Sequence, residues 1–310
     1  MVWQRDLSVS LNKVGDVQRE GGDPEGALGS YEASRAIIAR LAESDPTNMV
    51  WQHDLSVSLE KVGDVQRERG NLERALASYE TSRAIIFRLA ESEPTHMVWQ
   101  RGLSVSLNKV GDVQRERGDL DGALASHEAS RAIIVRLAES DRTNMGWQRD
   151  LSVSLNKVGN VQHERGDLEC ALASYEASRA IIARLAESDR TNLGWQRDLS
   201  VGLENVGDVQ LARDDLEGAL VSYEASRAIR ARLAESDRAN MGWQRDLSYV
   251  LTQLADVHER LDSITKALGL AEASLKIDER LAALAPTHAT WQQDVKFSRA
   301  LVERLKSLSG

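Results

Sequence analysis

The chain has 310 residues, 42% of them apolar, 28% charged and only 5% aromatic, with a net charge of −9 spread along its whole length. That apolar content can fill a continuous core of Leu, Ile, Val and Ala, while an acidic balance with no Lys/Arg cluster argues against nucleic acid as a partner. A single cysteine, Cys170, excludes an intrachain disulfide and a cysteine-rich metal site.

From the N-terminus, Met1-Val2-Trp3-Gln4 is already repeat sequence and carries no apolar signal-peptide core. No run approaches the length of a membrane-spanning helix, so the chain reads as soluble, unexported and cytoplasmic, with no membrane partner. Trp3 is the first of seven tryptophans, followed by Trp51, Trp99, Trp147, Trp195, Trp243 and Trp291, each 48 residues after the last. A fixed period of this size marks a stack of structural repeats. In the first copy, Trp3, Leu7, Leu11, Val14 and Val17 form one face of a helix, and charged side chains occupy the rest. Gly21-Gly22-Asp23-Pro24 breaks that helix, because glycine suits the left-handed C′ position, aspartate caps and proline is tolerated at N1. Ala27, Leu28, Tyr31, Ile37 and Leu41 carry the stripe of a second helix, which ends at Asp45-Pro46-Thr47-Asn48. Each unit is thus predicted to be a hairpin of two helices of about twenty residues.

The phrase recurs over 3–50, 51–98, 99–146, 147–194, 195–242 and 243–290. The sixth copy diverges most, with Ala255 in place of the glycine, Ala271 of the tyrosine and Leu275 of the arginine seen at Arg35. Residues 291–310 make a half copy whose Val295, Phe297, Leu301, Val302 and Leu305 read as the apolar face of a capping helix. The first copy is as regular as the internal ones and has no such device.

Leu11-x-x-Val14-Gly15-x-x-Gln18 followed by Ala27-x-x-x-Tyr31 resembles the tetratricopeptide repeat signature. The same frame returns with Gly63, Gly111, Gly159 and Gly207, so the resemblance covers essentially the whole chain. It implies an all-α, right-handed α-solenoid of six stacked antiparallel hairpins plus the capping helix, forming one array over residues 1–310. Gly15 and Ala27 then allow close helix approach. The family period is 34 residues, and the surplus of 14 adds about two turns to each helix if shared evenly. The seven tryptophans fall on the extension of the first helix and are expected to act as core wedges against the preceding second helix, near Leu41 or Leu89. Long-helix arrays of this kind are similar to those of kinesin light chains and bacterial multidomain signalling proteins.

The resemblance also implies that the first helices line a concave groove. Its slots fall on Val9, Asn12, Lys13, Asp16, Arg19 and Glu20, then on Glu60, Lys61, Asp64 and Arg67, then on Asn108, Lys109, Asp112 and Arg115. Lys13, Asp16 and Arg19 are three apart and can pair along one helix. Stacked, these slots make charged ladders able to hold an extended peptide through its carboxylates and backbone, or a self-paired solvated face. The ladder fades at Asn160, His163, Asn205 and Leu211, then at Gln253 and Glu259, so its best half is residues 1–120. Arg230 and Asp278 replace Ile38, Ile86 and Ile134 and are placed to pair with each other. Glu32 and Arg35 are read as a surface pair.

His53, His96, His127, His163, His258 and His288 share no ligand spacing, and no phosphate loop, nucleophile elbow or catalytic triad is present. The sequence therefore points to a protein that is not an enzyme, with no cofactor and no metal. The leading function is a protein–protein interaction scaffold binding a protein or peptide segment in the groove. The alternatives are self-association into a homo-oligomer through the uncapped N-terminal repeat, and the sensor arm of a larger bacterial signalling protein.

Overall fold

The computed structural model describes residues 2–286 and 288–308, without the side chain of Val2. The phase match of Met1-Val2 and the last two residues of the expected capping helix lie outside the described residues. Thirteen helices and no strand occur among the described residues, which fall into two compact units. The unit up to Arg165 holds α1 (Val2–Glu20), α2 (Pro24–Ser44), α3 (Met49–Glu68), α4 (Leu72–Ser92), α5 (Met97–Glu116), α6 (Leu120–Ser140) and α7 (Met145–Glu164). The unit from Gly166 holds α8 (Leu168–Ser188), α9 (Leu193–Ala212), α10 (Leu216–Ser236), α11 (Met241–Arg260), α12 (Ile264–Leu284) and α13 (Ala289–Leu308). Within each unit, helices consecutive in the chain pack on one another as stacked hairpins. No helix of the described residues is long and apolar enough to cross a membrane.

The two recurring breaks of the repeat have distinct mechanics. After α1, Gly22 takes a φ of 79°, and the amides of Gly22 and Asp23 return to the carbonyls of Arg19 and Gln18. That is a Schellman ending, and it favours glycine because a side chain is strained at positive φ. Asp23 then caps α2 by accepting from the Gly26 amide at 2.9 Å. At the other break, Asp45 accepts from both the amide and hydroxyl of Thr47, and Asn48 caps α3 by accepting from the Trp51 amide at 3.1 Å. The glutamines after the later tryptophans also have a local task. Gln52, Gln100 and Gln148 donate to the carbonyls of Ala42, Ala90 and Ala138 at the end of the preceding helix, which would otherwise be left unpaired.

The core is a series of layers of fixed composition. Ala27 and Tyr31 of α2 meet Val62 and Val65 of α3, Ala75 and Tyr79 meet Val110 and Val113, and Ala171 and Tyr175 meet Val206 and Val209. Each fully buried valine contributes about 1.5–3 kcal/mol. Gly15 lies flat on the Tyr31 ring, where an added Cβ would stand 2.5 Å from Cε1. In the sixth copy both partners change together: Ala255 and Ala271 share a layer filled by Leu301, Val302 and Leu305 of α13.

The tryptophans do not behave alike. Trp99 is buried with Leu89, and Trp147 packs onto the same cluster beside Leu137, as expected of wedges. His96 stands in the capping slot of α5 and stacks on Trp99 with ring centroids 3.9 Å apart. Trp3, in contrast, is exposed, as are Leu7, Val14 and Val17 on the same flank. Nothing among the described residues packs on that flank of α1, and Val17 is 69% exposed where Val65 of α3 is 0%. Phe297 is likewise exposed rather than part of the packed face of α13, because it falls in the outward slot of Val9 and not in a core slot.

Candidate functional site

The outward faces of α1, α3, α5 and α7 carry the charged slots, and their side chains meet across the helix stack. Lys61 donates to Asp16 at 2.6 Å, Lys109 to Asp64, and Lys157 to both oxygens of Asp112 at 2.6 and 2.8 Å. On the other side of each aspartate, the Tyr31 and Tyr79 hydroxyls donate to Asp16 and Asp64 at 2.7 and 2.6 Å. The ammonium groups of Lys61 and Lys109 also lie over the rings of Tyr31 and Tyr79, each 5.4 Å from the centroid, a cation–π geometry. A second row runs alongside. Arg19 reaches Glu68, Arg67 reaches Glu116 and Arg115 reaches Glu164, with Nε or Nη to carboxylate distances of 2.9, 2.8 and 2.9 Å. Arg67 touches Asp112 as well, at 3.4 Å.

This corrects the expectation that Lys13, Asp16 and Arg19 pair along their own helix. Asp16 and Asp64 each sit between their own tyrosine and the lysine of the next first helix, 45 residues on, and Asp112 sits between His127 and Lys157, so the inter-helix lysine is the partner met. Lys13 is exposed and makes no ion pair among the described residues. Burial pushes Asp16 toward neutrality, but the hydrogen bonds of Lys61 and Tyr31 win and hold it below the usual carboxylate range. Burial and the same aspartate keep the Tyr31 phenol protonated. The asparagines serve packing: Asn12 donates to Ser58 at 3.3 Å, and Asn108 meets Nδ1 of His127 at 3.1 Å.

Between its paired lysines, arginines and aspartates the face offers hollows. One cavity of 230 Å³ between α3 and α5 is lined by Val57, Glu60, Ile86, Gly102 and Val105. The next, of 220 Å³ between α5 and α7, is lined by Val105, Asn108, Asp112, Ile134 and Val153. They fall in the same slot one repeat apart. In the corresponding position elsewhere an ion pair joins the two helices, as Arg5–Asp54 and Arg101–Asp150 do at 2.6 Å. Between α3 and α5 that pair is replaced by His53 and Gly102, which line the cavity together with Glu60. Burial, outweighing the nearby charge of Lys109, raises Glu60 to about 7. Of the valine slots, the sequence pattern marks only Val9, and the His53/Gly102 exchange matches no motif. Its signal was two paired positions departing from the repeat together.

In the second unit the slot of Glu60 is taken by Glu204, and its charge is answered. Arg230 forms a bidentate pair with it, Nη2 to Oε2 at 2.6 Å, and also reaches Asp246 at 2.6 Å. The expected Arg230–Asp278 pair is absent, because Asp278 instead accepts from the hydroxyls of Ser248 and Ser298. The i, i+3 surface pair read for Glu32 and Arg35 forms at Glu224 and Arg227, at 2.8 Å.

No protein-family model and no curated protein sequence matches the chain. Solved structures do. BtubC (BKLC) from P. vanneervenii aligns with a TM-score of 0.64 at 19% identity, covering 86% of this chain and 93% of that one. A putative kinesin light chain from P. anserina with nearly identical TPR-like repeats gives 0.56 at 15% identity, covering 75% and 98%. The Rap conjugation gene regulator of plasmid pLS20, in complex with the Phr* peptide, gives 0.52 at 16% identity, covering 96% and 74%. The fold is tetratricopeptide-like.

Proposed function

We propose that the chain is a non-enzymatic protein-interaction scaffold that binds an extended polypeptide segment along the outward face of α3, α5 and α7. The observation that carries this reading is the succession of valine-walled cavities, one per repeat step, on a face whose polar groups are locked by ion pairs between neighbouring helices. Such a row suits a strand-like segment, which presents alternate side chains to one surface. Rigid polar rims lower the ordering cost of binding. A Rap regulator of the same fold holds a peptide, which supports a polypeptide ligand.

The test is selection of a displayed random-peptide library on the full chain. Recovered peptides are then titrated against Val105→Glu, with circular dichroism confirming that the variant keeps its helices. Loss of at least about tenfold in affinity, or about 1.4 kcal/mol, is expected, since Val105 borders both cavities. Recovery of no binder, or unchanged binding by Val105→Glu and Val57→Glu, overturns the reading.

The exposed flank of α1, with Trp3, Leu7, Val14 and Val17, favours a second reading, self-association through that face. Light scattering across concentrations tests it: a rising mass that Val17→Glu abolishes supports it, and a constant monomer mass removes it.

A further inference from the structure

The outward slot that is Val in the first five copies becomes Tyr249 in α11 and Phe297 in α13, 47% and 61% exposed. Between them lies a cavity of 680 Å³, about threefold larger than those between α3, α5 and α7 and in the range of small-ligand sites. Its lining holds three carboxylates, Asp246, Asp278 and Asp294, against one guanidinium, Arg245.

These carboxylates are not equivalent. Asp294 is held by Arg245 with Nε at 2.6 Å and Nη2 at 3.2 Å. Asp246 is held by Arg230 at 2.6 Å and Arg197 at 2.9 Å. Asp278 has hydroxyl donors, Ser248 and Ser298, but no Lys or Arg within ion-pair distance among the described residues. It is 3% exposed and replaces the isoleucine of four other copies. Burial raises it above the ordinary aspartate range, against the pull of the two serines. The charge of Arg245 also acts on Asp278, but that guanidinium is bound to Asp294, so a cation entering the cavity would offset a burial cost that is only partly met. Exposed aromatic walls offer the same cation a second attraction through their ring faces.

We propose that the cavity between Tyr249 and Phe297 is a subsite for the guanidinium of an arginine side chain, with Asp278 as its counter-ion. Arginine fits better than lysine on two counts: its plane stacks on aromatic rings, and it is more weakly hydrated, so it enters a half-buried site at lower cost. The proposal rests on the reading of the chain as a polypeptide binder, and it adds a sequence requirement to the ligand.

Phe87 and Phe297 are the only phenylalanines in the chain, so the full protein labelled with 4-fluorophenylalanine gives one reporter at the cavity and one internal control. The probes are acetyl-Ala-Arg-Ala-amide and its citrulline counterpart, which keeps the shape and removes the charge. The Phe297 fluorine resonance, assigned with Phe87→Leu, is expected to shift saturably with the arginine peptide while the Phe87 resonance stays still. Citrulline should bind at least about tenfold more weakly. Asp278→Asn should erase that preference. If that variant loses its helices, Tyr249→Val with Phe297 retained as reporter should weaken the arginine peptide severalfold. Equal binding of the two peptides, or an unmoved Phe297 resonance, overturns the subsite. Either result leaves peptide selection at Val105 as a separate test of the broader reading.

Discussion

Arg230→Ile restores at one position the residue found in the first four copies, yet it should be among the most damaging single changes in the chain. Arg230 and Glu204 are 4% and 5% exposed, and removing the guanidinium leaves the Glu204 carboxylate buried with only the Ser226 hydroxyl for a partner. Breaking a buried pair in this way costs about 3–5 kcal/mol. The second copy supplies an independent gauge, because Ile86 stands there in the position of Arg230 and Glu60 has no ion-pair partner among the described residues. Its rise from 4.5 to about 7 corresponds to roughly 3 kcal/mol above neutral pH, at about 1.4 kcal/mol per pH unit. Adding Glu204→Asn, the residue of Asn12, Asn108 and Asn156, removes the stranded charge. The double variant is expected to return to within about 1 kcal/mol of the wild type or to exceed it. Native-state hydrogen exchange of the α9 and α10 amides at pH 8 reads the local opening free energy directly. A coupling of about 3 kcal/mol between the two substitutions is expected. A single variant within about 1 kcal/mol of wild type, or a double variant no better than the single, would refute the reasoning.

Two further predictions concern the first unit. Because the fold raises the Glu60 pKa, its stabilising contribution is full below pH 4.5 and is lost as pH rises through 7. Glu60→Gln should therefore flatten the loss of stability between those values, gaining about 1–2 kcal/mol at pH 8 after allowance for partial solvent access. Thermal melts of both proteins at pH 5 and pH 8 check this, and parallel pH profiles would contradict it. Gly63→Ala would place a Cβ 2.6 Å from Tyr79 Cε1, forcing the ring out of its layer at a cost of about 1–3 kcal/mol. Urea denaturation measures it, and a variant as stable as wild type would show that the layer yields freely.

Much of the hairpin pattern was legible because each device is local. The Gly22 ending, the Asp23 and Asn48 caps and the alanine–tyrosine stripe each occupy fixed offsets within one phrase. The charged slots were legible as a face but not as pairs. Spacing along a helix suggests Lys13 with Asp16, whereas the partner that matters stands 45 residues away and becomes visible only when helices are stacked. Correlated drift did carry that information. His53 changes with Gly102, Ala255 with Ala271, and Arg230 with Glu204, and in each case the two side chains, or the space they leave, adjoin. Phe297 misled by apolarity alone; its phase, shared with Val9, places it on the outward face.

A polypeptide segment bound in the proposed way lies along the outward face of α3, α5 and α7. Photo-crosslinking tests it most directly, with benzoylphenylalanine placed at Val105 on that face or at Ala125 on the exposed side of α6, and a library-selected peptide as the target. Crosslinks from Val105 and none from Ala125 are predicted. Crosslinks from Ala125 alone would contradict the account.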